Sequence, residues 1–111
     1  MNEKQQQRLA ENEAFFRTLN ESIRDAVDRY GSDGHVYSFI CECSDPSCVE
    51  RVTLPTADYE RVRADGTRFV LAPGHQAAAI ETVVAERGDH MVVEKTGPAA
   101  EVALALDPRA A

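Results

Sequence analysis

Apolar side chains recur at a helical spacing from the start of the chain. Leu9, Phe16, Ile23 and Tyr30 come every seven residues, Leu19 and Ala26 fall three later in the same heptads, and Phe15 and Val27 widen the stripe. Most other positions there are Glu, Gln, Arg, Asn or Asp. The pattern predicts one amphipathic helix over residues 2–30, with Gly31 as the residue that ends it. Its apolar face can pack on the chain's own sheet. Alternatively, the part before residue 15 can project and pair with a second copy, and the expectation is a homodimer through this helix. Asn12, at an inner position, would weaken a long coiled coil but set its register.

After the loop Gly31–Gly34 the period changes to two. His35 to Cys41 reads as a strand, with Val36, Tyr37, Phe39 and Ile40 suited to a pleated surface. Val49 to Leu54 reads as a second. The segment "PTADYERVRAD" predicts a helix of about ten residues with Thr56 as N-cap and Tyr59 and Val62 one turn apart. "TRFVLAPGH" is a third strand ending in a Pro-Gly turn, and "AIETVVAERGDHMVVEK" is a hairpin by pattern. "GPAAEVALALDPR" favours a closing helix, with Pro98 at a first helical position and Asp107-Pro108 as its stop.

The predicted order is α-β-β-α-β-β-β-α, an α+β fold with helices on a small antiparallel or mixed sheet. The chain divides into an N-terminal helix (1–30), an α+β core (35–97) and a C-terminal helix or tail (98–111).

All three cysteines lie in "CECSDPSC". If the first strand runs through Cys41 and Cys43, a period of two puts both thiols on one face. Ser44-Asp45-Pro46-Ser47 is a turn signal that folds Cys48 back towards them. Cys41, Cys43 and Cys48 then supply three soft ligands from one segment, and structural zinc wants four. The fourth comes from elsewhere. His75, fixed by the turn in "APGH", is the first candidate. His90 reads as an exposed turn residue, and His35 lies too far along the strand that ends at Cys41. Asp45, Glu42 or a water are the remaining options.

"ENEAFFRTLNESI", "CECSDPSC", the Tyr-Glu-x-Val-Arg-Ala-Asp helix and "APGH" together resemble a group of short bacterial proteins of unassigned function, over residues 11 to 95. The resemblance implies that Cys41, Cys43, Cys48 and His75 form one constellation. It implies no activity.

The formal charge of −7 and pI of about 4.9 weigh against nucleic acid and anionic membranes as partners. Arg51, Arg61, Arg63 and Arg68 are interleaved with Glu50, Asp58, Glu60 and Asp65, which reads as a mixed, solvated face. The start of the chain has no apolar core of a secretory signal, and no run is long enough to span a membrane, so the expected compartment is the cytoplasm, where thiols stay reduced. An odd number of cysteines in that compartment favours metal ligation over structural disulfides. A site closed by four protein ligands leaves no open position for catalysis, so the expectation is a non-enzymatic Zn2+-binding regulatory or interaction module that meets an as yet unknown protein partner. The alternative is a thiol-based redox or zinc sensor using the same cysteines.

Overall fold

The computed structural model describes residues 2–31 and 35–109. The order of elements is the expected one: α1 (Glu3–Tyr30), β1 (Val36–Ile40), β2 (Arg51–Pro55), α2 (Thr56–Arg63), β3 (Arg68–Leu71), β4 (Glu81–Glu86), β5 (Met91–Lys95) and α3 (Gly97–Ala105). The fold is α+β. Of the loop after α1, Ser32–Gly34 lies outside the described residues, as do Ala110 and Ala111 of the tail.

The strands form two antiparallel sheets rather than one. β1 pairs with β2, and β5 lies between β3 and β4. The core is shared by both sheets and built on Phe39, Val52, Leu54, Tyr59, Phe69, Val70, Leu71 and Val93. Tyr59 stacks on Phe39 with ring centroids 4.5 Å apart and planes 8° apart, which joins α2 to β1 through a large apolar contact.

Helix α1 begins with a capping box. Asn2 accepts from the Gln5 backbone N–H (2.8 Å), and the Gln5 side chain accepts from the Asn2 backbone N–H (3.0 Å), so two orphan donors are satisfied reciprocally. At the start of α2 the cap position is Pro55, with Thr56 already helical. The expected N-cap is therefore displaced by one residue, because β2 runs on through Pro55.

The inner face of α1 differs from the apolar stripe. Ala10, Glu13, Ala14, Phe16, Arg17 and Asn20 are buried, whereas Phe15 is 59% and Tyr30 85% exposed. Ala10 packs with Ile80 and Ala99 in a small satellite core. Alanines on both α1 and α3 let the two helices approach closely. Arg17 then donates to the carbonyls of Gly66 and Ala103 at 2.7 Å each, and its guanidinium lies 4.3 Å from the centre of the Phe69 ring. The long side chain of Arg17 thereby ties three elements together.

Of the four interleaved arginines, Arg63 is not solvated. It is 3% exposed and pairs with Glu21 and Asp107. Arg109 pairs in turn with Glu21 and Glu60, so the segment after α3 is pinned at Arg109 to α1 and α2. Arg61 pairs with Asp58. Arg68 lies beside Asp65 and Glu94, and Arg51 donates to the Ser38 hydroxyl and carbonyl, so the four do not make a basic face.

Candidate metal centre

The site forms where the chain leaves the first sheet for the second. β1 ends at Ile40, but the Cys41 N–H still donates to Glu50 (3.1 Å). One residue on, the Glu42 N–H donates to the Val70 carbonyl of β3 (2.8 Å). The segment stays extended through this change of partner, so the alternation of sides holds. Cys41 and Cys43 point one way, and Glu42 points the other, into the core.

Cys48 is placed by the Asp45–Cys48 turn. Its N–H donates to the Asp45 carbonyl (3.1 Å), while the Asp45 carboxylate accepts from the Ser47 N–H (2.9 Å) and hydroxyl (2.7 Å). Those bonds to Ser47 hold the exposed Asp45 carboxyl below its usual pKa. Asp45 is thus a turn residue and not part of the cluster. His75 is placed by a second turn. Its N–H donates to the Ala72 carbonyl (3.1 Å), and Gly74 has φ +85°. Proline followed by a left-handed glycine is the signature of a type II turn.

The two turns bring together the residues that the spacing singled out. The ligand atoms of Cys41, Cys43, Cys48 and His75 all lie within 4.8 Å of one another. Nδ1 of His75 is 3.6 Å from the sulfur of Cys41 and 3.6 Å from that of Cys48. Both contacts converge on one ring nitrogen, the spacing that four ligands around a shared central ion would have. Zinc bonds of about 2.3 Å to sulfur and about 2.1 Å to nitrogen, at tetrahedral angles, set sulfur and nitrogen about 3.6 Å apart. The donor set is compatible with a metal ion such as zinc.

The surroundings suit thiolate ligands. The Cys41 sulfur accepts from the Ala72 N–H at 3.1 Å, a contact of the kind that orients and tunes a ligating group. Burial pushes the Cys41 and Cys43 thiols up from their ordinary range, and a bound cation would reverse that balance. Cys41 and Cys43 are buried and Cys48 half-exposed; all three thiols are free of disulfides.

The other sequence candidates lie elsewhere. His35 is exposed, its ring tilted against Tyr37. His90 is buried, contrary to the expectation of an exposed turn residue. The Arg87 N–H donates to its carbonyl (2.9 Å), which closes the β4–β5 turn, and its Nδ1 sits 2.9 Å from the Asp89 carboxylate in a cleft.

Glu42 is the residue whose role the spacing did not disclose. It is fully buried. One carboxyl oxygen accepts from the Val70 N–H (2.9 Å), the other from the Asn20 amide (2.9 Å) and the Tyr59 hydroxyl (2.9 Å). Burial raises its pKa, and these donors and Arg17 oppose the shift. Asn20 also brackets Ile40, accepting from its N–H (2.7 Å) and donating to its carbonyl (2.8 Å). It covers an otherwise unpaired edge of β1. A charged residue between two ligands, on the opposite side of an extended segment, was the available signal for this network.

Comparison with models of protein families, with curated proteins and with solved structures finds no match to this chain. Among the described residues no helix is long and apolar enough to cross a membrane.

Proposed function

We propose that the chain is a small zinc-stabilised module in which Cys41, Cys43, Cys48 and His75 close a tetrahedral site, serving regulation or protein interaction and not catalysis. The observation that carries this reading is the position of His75 Nδ1, 3.6 Å from two cysteine sulfurs that themselves come from a different part of the chain. Three thiolates and one imidazole are a structural-zinc donor set, and four protein ligands leave the metal no open position for a substrate or water. A metal there ties the first sheet to the end of β3. It adds binding free energy to a fold with no Trp and only a small aromatic core. Chelation is then expected to lower the melting temperature and the helical circular dichroism signal. An apo protein with unchanged spectrum and melting temperature contradicts the reading.

Self-association belongs to the same proposal. Phe15 and Leu19, one turn apart on α1, are exposed, and a second copy of the helix is the occupant that would cover them. Phe15→Asp should then shift a dimer to monomer in analytical ultracentrifugation, and a parent that sediments as a monomer removes this part.

The second reading is a thiol sensor. It is favoured by the half-exposure of Cys48 beside two buried thiols, which gives an oxidant a first point of attack.

A further inference from the structure

The face that α1 turns inwards is polar at the positions nearest the cysteines and the histidine loop, and it reaches both halves of the ligand set. Asn12 donates to the carbonyl of Cys43 (3.2 Å). Asn20 holds Ile40 and Glu42, the residues on either side of Cys41. Glu13 contacts the Lys95 ammonium, which also contacts Glu81, and all three side chains are wholly buried. The second oxygen of Glu81 accepts from the Ala77 N–H (2.8 Å), two residues beyond His75. One helix thus grips the cysteine segment directly and the histidine loop through the buried Glu13–Lys95–Glu81 triad.

We infer that metal loading and docking of the N-terminal half of α1 form one coupled equilibrium, so that loss of the metal releases this half of the helix. The inference rests on the metal reading above and adds its regulatory output. The metal holds the cysteine segment and the histidine loop at a fixed separation. Asn12 and Asn20 reach the cysteine segment, and Glu13 reaches the histidine loop through Lys95 and Glu81, so α1 satisfies both sets of contacts together only at that separation.

Without it, the buried polar groups of α1 lose those partners. A buried polar group without a partner costs more than one returned to water. The apolar anchor of this half is small, Leu9 and Ala10 against Ala77, Ile80, Ala99 and Val102 with the buried Ala14 and Phe16 beside them, and does not offset that cost. Among the described residues Glu13 Oε2 has no hydrogen-bond partner in the docked state. A marginal interface of this kind has two arrangements and not a continuum. Coupling of this type is reciprocal, so weakening the helix contact must weaken the metal.

The test is amide hydrogen exchange of the full chain, loaded with zinc and after chelation, together with zinc competition titrations of the parent and Asn12→Ala. Asn12 is half-buried and makes the single bond to Cys43, so its truncation spares the fold, as circular dichroism of the loaded variant should show. Chelation is expected to raise exchange at least tenfold in residues 6–20 while the β4–β5 hairpin stays protected, and Asn12→Ala to weaken zinc binding about tenfold. Unchanged exchange in α1, uniform loss of protection across the chain, or unaltered affinity in Asn12→Ala overturns the coupling even when the parent binds zinc. A parent that binds no zinc overturns the metal reading first and the coupling with it.

Discussion

Asn20→Ala is the substitution that most sharply probes the frame around the candidate metal centre. Asn20 is fully buried and makes three hydrogen bonds, two to the Ile40 backbone and one to the Glu42 carboxylate. Two ordinary bonds contribute about 1 kcal/mol each and the bond to the carboxylate about 1.5–3 kcal/mol, with the stranded partners buried in the variant. Water entering the gap left by the side chain offsets part of this, and the net loss should be about 3 kcal/mol. That is a large share of the 5–15 kcal/mol typical of a domain. For a chain of this size it corresponds to a fall in melting temperature of roughly 12–20 °C.

The assay is urea denaturation of the zinc-loaded protein followed by circular dichroism, with the slope unchanged and the midpoint lowered. Thr18→Ala serves as the control, because the Thr18 hydroxyl only bonds back to the Ala14 carbonyl of its own helix (3.0 Å) and its loss should move stability by less than about 0.5 kcal/mol. If Asn20→Ala stays within about 1 kcal/mol of the parent, the bracket around Ile40 is not what holds this edge of β1, and the reasoning fails.

Three further outcomes follow from the same structure. Gly74 has φ +85° and open space around the position of a side chain, so Gly74→Ala should cost about 1–2 kcal/mol through backbone strain alone and weaken zinc binding; parental affinity in a competition titration would show that this turn does not position His75. Burial pushes the Glu81 carboxyl up from 4.5 to about 7, so the folded state takes up its proton first, and the stability this group contributes is present below 4.5 and lost as pH rises through about 7. Glu81→Gln should remove that dependence, worth at most about 3 kcal/mol across the window because contact with Lys95 opposes it; a parent that gains stability over Glu81→Gln as pH rises would reverse the sign and refute the assignment. Mild peroxide should release zinc and join Cys48 to Cys41 or Cys43 reversibly if the sensor reading holds, and zinc retained under those conditions, measured by a colorimetric chelator, removes it.

The order of elements and the grouping of the three cysteines with His75 could be read from periodicity and turn chemistry. Cys41 and Cys43 share a side because an extended segment alternates, and Asp45-Pro46 and Pro73-Gly74 are turns whose geometry is local. What could not be read was long-range. Periodicity marks apolar positions, and so it selected Phe15 and Tyr30 on α1 over the buried Glu13, Arg17 and Asn20. Polar residues enter a core only when partners from distant segments satisfy them, and those partners (Ile40, Glu42, Gly66, Lys95, Ala103) are set by the tertiary fold. The split into two sheets escaped for a related reason. The switch at Cys41–Glu42 from β2 to β3 leaves no mark in the pattern of an extended run. A histidine in a Gly-Asp turn reads as solvated from sequence alone, and only the cleft that the fold builds around His90 buries it.

The most direct test of the central claim is elemental analysis of protein purified without added metal, carried out on the parent, Cys48→Ser and His75→Ala. One zinc per chain in the parent and its loss in both variants is the predicted result. A parent without zinc, or variants that keep it in full, would contradict the Cys41–Cys43–Cys48–His75 centre.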